Sequence, residues 1–346
     1  MNRGIKLFAA LFAVVVFMRP ALAEIYDLPP DGYDVIGAVS TTIARHEDSL
    51  VEIARRHGLG YHDIVKANPD VDVWLPGEGT RIVLPTRFVL PPGPREGLVL
   101  NLAEYRMYYY PETAPGETPV VMTYPMSIGR QDWETPLGVA RITAKAVNPT
   151  WYPPKSVREE HAAEGRPLPN IVPPGPDNPL GAFAMRLSLP GYLIHSTNRP
   201  AGVGMRVTHG CIRMFPEDIE FLFSKVDLKT KVRIINEPIK LGWSGDELVI
   251  EVHPVLESPA EVDDEPAEEP NDSAADETAV AEAEVELPGA PKDPLTFVTE
   301  QFIAATSERA GRLDWDEVER LVERADGIPA AAGIAAPAAA PSVASE

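Results

Sequence analysis

The chain has 346 residues, with 31 Lys and Arg against 52 Asp and Glu, a formal charge of −21 and a pI of about 4.8. A protein that neutralises nucleic-acid phosphates needs a basic face, so this balance argues against nucleic acid as a partner. The single cysteine, Cys211, rules out an internal disulfide, and a 44% hydrophobic content is enough for packed cores in two or three domains.

Residues 1–23 read as a secretory signal. Arg3 and Lys6 are followed by the apolar run Leu7 to Met18, and Ala21-Leu22-Ala23 supplies a small-x-small cleavage pattern. Twelve apolar residues fall short of the roughly 20 that a spanning helix needs. The alternative is a retained N-terminal anchor, to which Arg19 just past the run is the irregular feature. No later segment is long and apolar enough to span a membrane. The mature chain is therefore expected to be exported from the cytoplasm.

Residues 24–91 form a small α+β unit in the order strand, helix, helix, strand. Leu50, Ile53, Ala54 and His57 follow a helical spacing, as do Tyr61, Ile64, Val65 and Asn68. Asp48 or Ser49 can cap the first helix, Asn68-Pro69 closes the second, and Arg81 to Pro85 is a strand. His57 and His62 read as helix-surface residues. Residues 97–238 are mostly β, with strands expected around 98–102, 106–110, 120–124, 139–146, 182–188, 192–195 and 232–235. Tyr108, Tyr109 and Tyr110 alternate faces along a strand, so only some of them can line a groove. The Pro-rich excursion from Asn148 to Pro179 is long enough for a lid or binding wall. A helix begins at Pro216, with Glu217 and Asp218 at its positive end.

Residues 239–256 extend this domain. The stretch 257–292 reads as a disordered acidic linker, since Glu257 to Glu286 holds thirteen acids and no base. Two short helices follow within 293–327, at Leu295–Ala305 and Asp314–Ala325, and 328–346 is an Ala/Pro-rich tail.

The chemistry concentrates in Thr208-His209-Gly210-Cys211-Ile212-Arg213, with Ile194-His195-Ser196-Thr197-Asn198 upstream and His195 sixteen residues before Cys211. A lone cysteine is often a small buried hydrophobe. This one has Arg213 and two histidines nearby to hold a thiolate, and the spacing alone leaves nucleophile and inert thiol both open. A zinc site of His195, His209 and Cys211 is the other reading. Against it stand two ligands only two residues apart and the Arg213 charge beside the cation. No nucleotide-binding loop, dinucleotide fingerprint or calcium loop is present, so no cofactor and no metal are expected.

His195-Ser196-Thr197-Asn198 followed by Thr208 to Arg213 resembles the active-site signature of the L,D-transpeptidases, the YkuD-type catalytic domain. Thr135-Pro136-Leu137-Gly138, Gly175-Pro176-Asp177-Asn178-Pro179-Leu180-Gly181 and the Tyr-Tyr-Tyr-Pro stretch at 108–111 match turns and strands of that family. Asp48-Ser49-Leu50, Ile53-Ala54, Asn68-Pro69, Leu75-Pro76-Gly77 and Ile82 to Pro85 resemble a divergent LysM module. It lacks the Gly-Asp-Thr start and has Glu47-Asp48-Ser49 there. The layout is similar to the ErfK/YbiS/YcfS/YnhG subgroup. Ser196 stands where the family usually has Gly, and Thr208 where Ser is commoner.

The resemblance implies a β-sandwich catalytic domain behind a LysM-like module that binds peptidoglycan. It implies that Cys211 attacks the diaminopimelate–D-Ala bond of a tetrapeptide stem, with His195 as base, the Ser196 carbonyl orienting its ring and the Gly210 and Cys211 N–H groups forming the oxyanion hole. Arg213, His209, Thr208 and Asn198 are the expected substrate-binding residues. The acceptor would be a diaminopimelate amine, giving 3→3 cross-links, or an amine of an envelope lipoprotein or outer-membrane protein. With water as acceptor the same site is a hydrolase. A different class of reading is a non-enzymatic wall-binding protein.

Overall fold

The computed structural model describes residues 24–256, the backbone of 284–286 and residues 293–336. The signal expected at 1–23, most of the acidic stretch 257–292 and the last residues 337–346 lie outside the described residues. Three apolar cores organise the rest.

The central core lies between two β layers. Gly97–Asn101 pairs antiparallel with Arg106–Tyr110 and parallel with Lys231–Ile235. The long strand Leu137–Val147 serves both layers. Its first half pairs with Lys231–Ile235 and its second half with Phe183–Leu187, the latter pairing shifting register between Ile142 and Ala144. Phe183–Leu187 leads to Leu193–His195, which runs parallel to Ile212–Arg213. Helix Pro216–Lys225 closes this core with Ile219 and Leu222. Strand periodicity divides the first layer's side chains between two cores. Leu98, Leu100 and Tyr109 face inward, while Val99, Tyr108 and Tyr110 face the N-terminal unit. All three tyrosines are buried, two against the N-terminal unit and one in the central core.

The N-terminal unit sits on that outer face. Ser40–Ile43 pairs with Arg81–Leu84, and helices Leu50–Arg56 and Tyr61–Ala67 lie between them in sequence. Ser49, not Asp48, caps the first helix, in a reciprocal capping box with Glu52. Asn68 bonds the Ile64 carbonyl behind it and both backbone groups of Val83, tying the second helix to the strand. Docking onto the catalytic domain is close: Arg55 pairs with Glu217 at 2.6 Å, buried Arg106 with Asp63 at 2.6 Å, and the Tyr61 N–H donates to the Val203 carbonyl at 2.9 Å. A Cβ on Gly204, at φ +86°, would lie 2.4 Å from the Tyr61 nitrogen.

Residues beyond 238 build a third unit. The hairpin Ile239–Ser244 and Glu247–Val252 is extended by Ala330–Ala335 and then Gly311–Leu313 into a four-stranded sheet. Helices Pro294–Ala305 and Trp315–Arg324 cover it through Val298, Val318 and Leu321. This corrects two expectations: 239–256 belongs to its own core, and the stretch from 328 holds a strand. Within this strand Gly333 is crowded; a Cβ there would meet the Arg312 carbonyl oxygen at 2.3 Å. Glu284–Glu286, at the end of the acidic stretch, pairs antiparallel with Leu137–Val139. Among the described residues no helix is long and apolar enough to cross a membrane.

A buried ionic junction joins the three units. Lys240 bonds Glu104 at 2.5 Å and Glu251 at 3.1 Å, and Glu251 accepts the Val89 N–H at 2.6 Å.

Candidate active site

The parallel pairing of Leu193–His195 with Ile212–Arg213 fixes the site. Ile194 registers with Ile212 and His195 with Arg213, so Cys211 enters at the mouth of this strand pair. Its thiol points at the Gly191 carbonyl, 3.7 Å away. Burial pushes the Cys211 pKa above the ordinary thiol range, against weaker downward pulls from the Leu193 N–H and the Arg213 charge.

His195 is buried, and its Nδ1 lies 2.6 Å from the Ser196 carbonyl oxygen. A carbonyl only accepts, so Nδ1 carries the proton and Nε2 keeps its lone pair. Burial, with Arg213 as the second cause, lowers the His195 pKa to about 3. The resting pair is therefore a neutral thiol and a neutral imidazole. Gly181 packs against Ser196, where an added Cβ would come 2.6 Å from the Ser196 side chain.

Gly210 turns the chain at φ +92°, and a Cβ there would meet the Tyr192 ring at 2.8 Å. The turn is held from both sides. Thr135 donates to the Gly210 carbonyl at 2.7 Å and accepts from the Gly129 N–H at 3.1 Å. Thr208 donates to the Cys211 carbonyl at 2.6 Å and is buried. Its hydroxyl proton thus closes the turn. Asn198 is exposed on the loop after His195. Arg213 is anchored through its backbone to both the N–H and the carbonyl of Ser127, and its charge reaches both His195 and Cys211.

His209 leads away from the thiol. Its Nε2 lies 2.7 Å from Glu160 on helix Lys155–Ala163, and its ring packs edge-on against Trp133 at 5.1 Å. Glu160 also binds Arg130 at 2.6 Å, so one carboxylate clasps the lid helix to the catalytic loops. The ligand atoms of His195, His209 and Cys211 do not converge within 4.8 Å. Among the described residues the group that does converge, Glu104, Glu251 and His253, already holds the Lys240 ammonium. Asn178 pins the far end of the lid, donating to carbonyls of Pro149, Val172 and Pro173 and accepting from the Leu180 N–H. Glu160 was invisible to motif reading because a glutamate in a Pro-rich excursion carries no spacing signal. Thr135 was signalled by its Thr-Pro-Leu-Gly turn.

Residues 95–234 match the YkuD family, the L,D-transpeptidase catalytic domain. The chain is 42% identical over 266 residues to the protein named Probable L,D-transpeptidase YcfS of Escherichia coli K12, covering 75% of this chain and 81% of that one. It is 42% identical over 258 residues to Probable L,D-transpeptidase YbiS of the same organism, covering 73% and 83%. The chain belongs to the L,D-transpeptidase family. With Probable L,D-transpeptidase ErfK/SrfK of Salmonella typhimurium the match is 35% over 323 residues, 92% of this chain and 94% of that one, so it extends into the third unit. This L,D-transpeptidase accordingly carries its catalytic domain between two flanking units, both packed against it.

Proposed function

We propose that the protein is a periplasmic peptidoglycan L,D-transpeptidase in which Cys211 is the nucleophile and His195 its base. The observation that carries the reading is the Nδ1 contact of His195 with the Ser196 carbonyl, which leaves Nε2 free to take a proton. In the first step the Cys211 sulfur attacks the carbonyl carbon of the diaminopimelate–D-Ala bond while its proton passes to His195. The C–N bond breaks, D-Ala leaves with that proton on its amine, and a thioester remains. An acceptor amine then attacks the thioester, giving up a proton through His195 as the amide forms and the thiol returns. The N–H groups of Gly210 and Cys211 face the developing oxyanion, a contribution of about 2.7–4 kcal/mol per donor.

The acceptor is a diaminopimelate amine or an amine of an envelope protein. The N-terminal unit is a LysM-like module that holds the glycan; its exposed Trp74 and Leu75, 61% and 79% accessible, offer a sugar-stacking surface.

The test is intact-protein mass after incubation with a disaccharide-tetrapeptide, alone and with a lysine-ended peptide. A thioester adduct that vanishes in Cys211→Ala supports the nucleophile, and the released product names the acceptor. Hydrolysed tripeptide alone assigns water. Absence of both adduct and D-Ala release, with a substrate that a known enzyme processes, would sink the assignment.

A further inference from the structure

A cavity of about 290 Å³ lies where the three units meet. His62 and Lys66, one turn apart on helix Tyr61–Ala67, form its N-terminal wall. Tyr105 and Arg206 come from the catalytic domain, and Asp326 from the third unit. Residues remote in sequence thus converge on a concave space, the setting in which small ligands are held.

The charges lining the cavity are unevenly matched. Glu104 and Glu251 hold Lys240, Asp63 holds Arg106, and Asp326 holds Arg324 at 2.6 Å. Arg206 is engaged by Glu134 and the Gly129 carbonyl. His253 is held by Glu251. The Lys66 ammonium has a weaker arrangement, a 3.3 Å contact to the Ala325 carbonyl. Burial lowers its pKa, and Asp326 opposes that only in part. An anion entering here meets a cation that lacks a close carboxylate of its own. The wall beside it is aromatic: His62 stacks on Tyr105 at 4.8 Å, and Phe88 adds an apolar face.

We propose that this cavity binds the free C-terminal carboxylate of a short peptide, with Lys66 as its counter-charge and the His62–Tyr105 stack beside the adjoining residue. Charge selects a peptide terminus over a neutral glycan: the Lys66 ammonium calls for one anionic group and the His62–Tyr105 stack for one adjoining residue, and a neutral sugar supplies no anion. The site is separate from the chemistry at Cys211. Arg206 nevertheless connects it to the catalytic loops, since its Nε donates at 3.1 Å to the carbonyl of Gly129, whose N–H bonds Thr135.

Calorimetric titration of the full chain, with Cys211 carboxamidomethylated, tests this. The probes are D-alanyl-D-alanine, L-alanyl-L-alanine, D-alanyl-D-alanine amide and diacetylchitobiose. The dipeptide acid binds, and both its amide and a Lys66→Met variant lower the affinity at least about tenfold. Preference for the D,D form assigns the natural ligand to a wall peptide, and preference for the L,L form to a protein C-terminus. Equal affinity for acid and amide overturns the proposal whether or not the variant folds. So does unchanged affinity in a folded Lys66→Met, tighter binding of chitobiose, or no binding of either dipeptide at about 10 mM.

Discussion

His195 and Arg213 stand in register on adjacent parallel strands, so a neutral imidazole and a guanidinium share one buried corner of the site. The charge disfavours an imidazolium there, and burial disfavours both an imidazolium and a thiolate. Cys211 should therefore react as a thiol that ionises only in alkaline solution. Its alkylation rate by iodoacetamide is expected to rise about tenfold per pH unit from pH 6 to pH 9. A plateau near neutral pH, the mark of a preformed thiolate–imidazolium pair, would refute this.

Stability should depend on pH through two buried groups with opposite signs. His195 titrates at about 3 when folded but near 6.5 when unfolded, so its contribution is complete above about 6.5 and is lost as pH falls towards 3. Asp218 runs the other way. Burial, helped by Glu217, raises its pKa to about 8, so its contribution is present below about 3.9 and is lost as pH rises through 8. Asp218→Asn should raise Tm at pH 8 and flatten the slope between pH 4 and 8, as read by thermal melts across that range.

Lys240 lies between two buried carboxylates, and removing it leaves them facing each other. Lys240→Met is expected to cost about 3–5 kcal/mol in denaturant unfolding. Arg55→Ala, which breaks a half-exposed pair with Glu217, should cost less than about 1 kcal/mol. Comparable losses would show that burial does not decide the matter here.

Gly204 and Gly79 share a left-handed backbone, at φ +86° and +84°, but an added Cβ meets backbone at the first and open space at the second. Gly79→Ala should lose only the conformational penalty, about 1–3 kcal/mol. Gly204→Ala should lose more and also loosen the N-terminal unit, seen as faster proteolytic release of residues 24–91. Equal behaviour of the two variants would mean that the close approach of Gly204 to Tyr61 does not anchor the unit.

Glu160 clasps the lid through Arg130 and His209. Glu160→Gln should speed amide exchange across 155–163 and raise KM by about threefold to tenfold, with little change in kcat. A loss confined to kcat would instead place Glu160 in the chemistry.

The catalytic fold and the helices were legible because their signals are local: period-two and period-3.6 patterns, a capping serine, a proline at a helix start. Two kinds of feature were not. Ala330–Ala335 has the composition of a tail, and nothing local in it marks its pairing with Glu247–Val252 or the crowding at Gly333. Thr208 carries the same hydroxyl whatever its role, and nothing in the sequence marks its bond to the Cys211 carbonyl.

The sheet of the third unit takes Glu247–Val252 and Ala330–Ala335 as direct neighbours, although the acidic stretch separates them in sequence. That stretch is an excursion whose two ends return to one small structure. A single peptide-bond cut within it should leave both fragments bound to each other, held by the strand pairing and the helices above it.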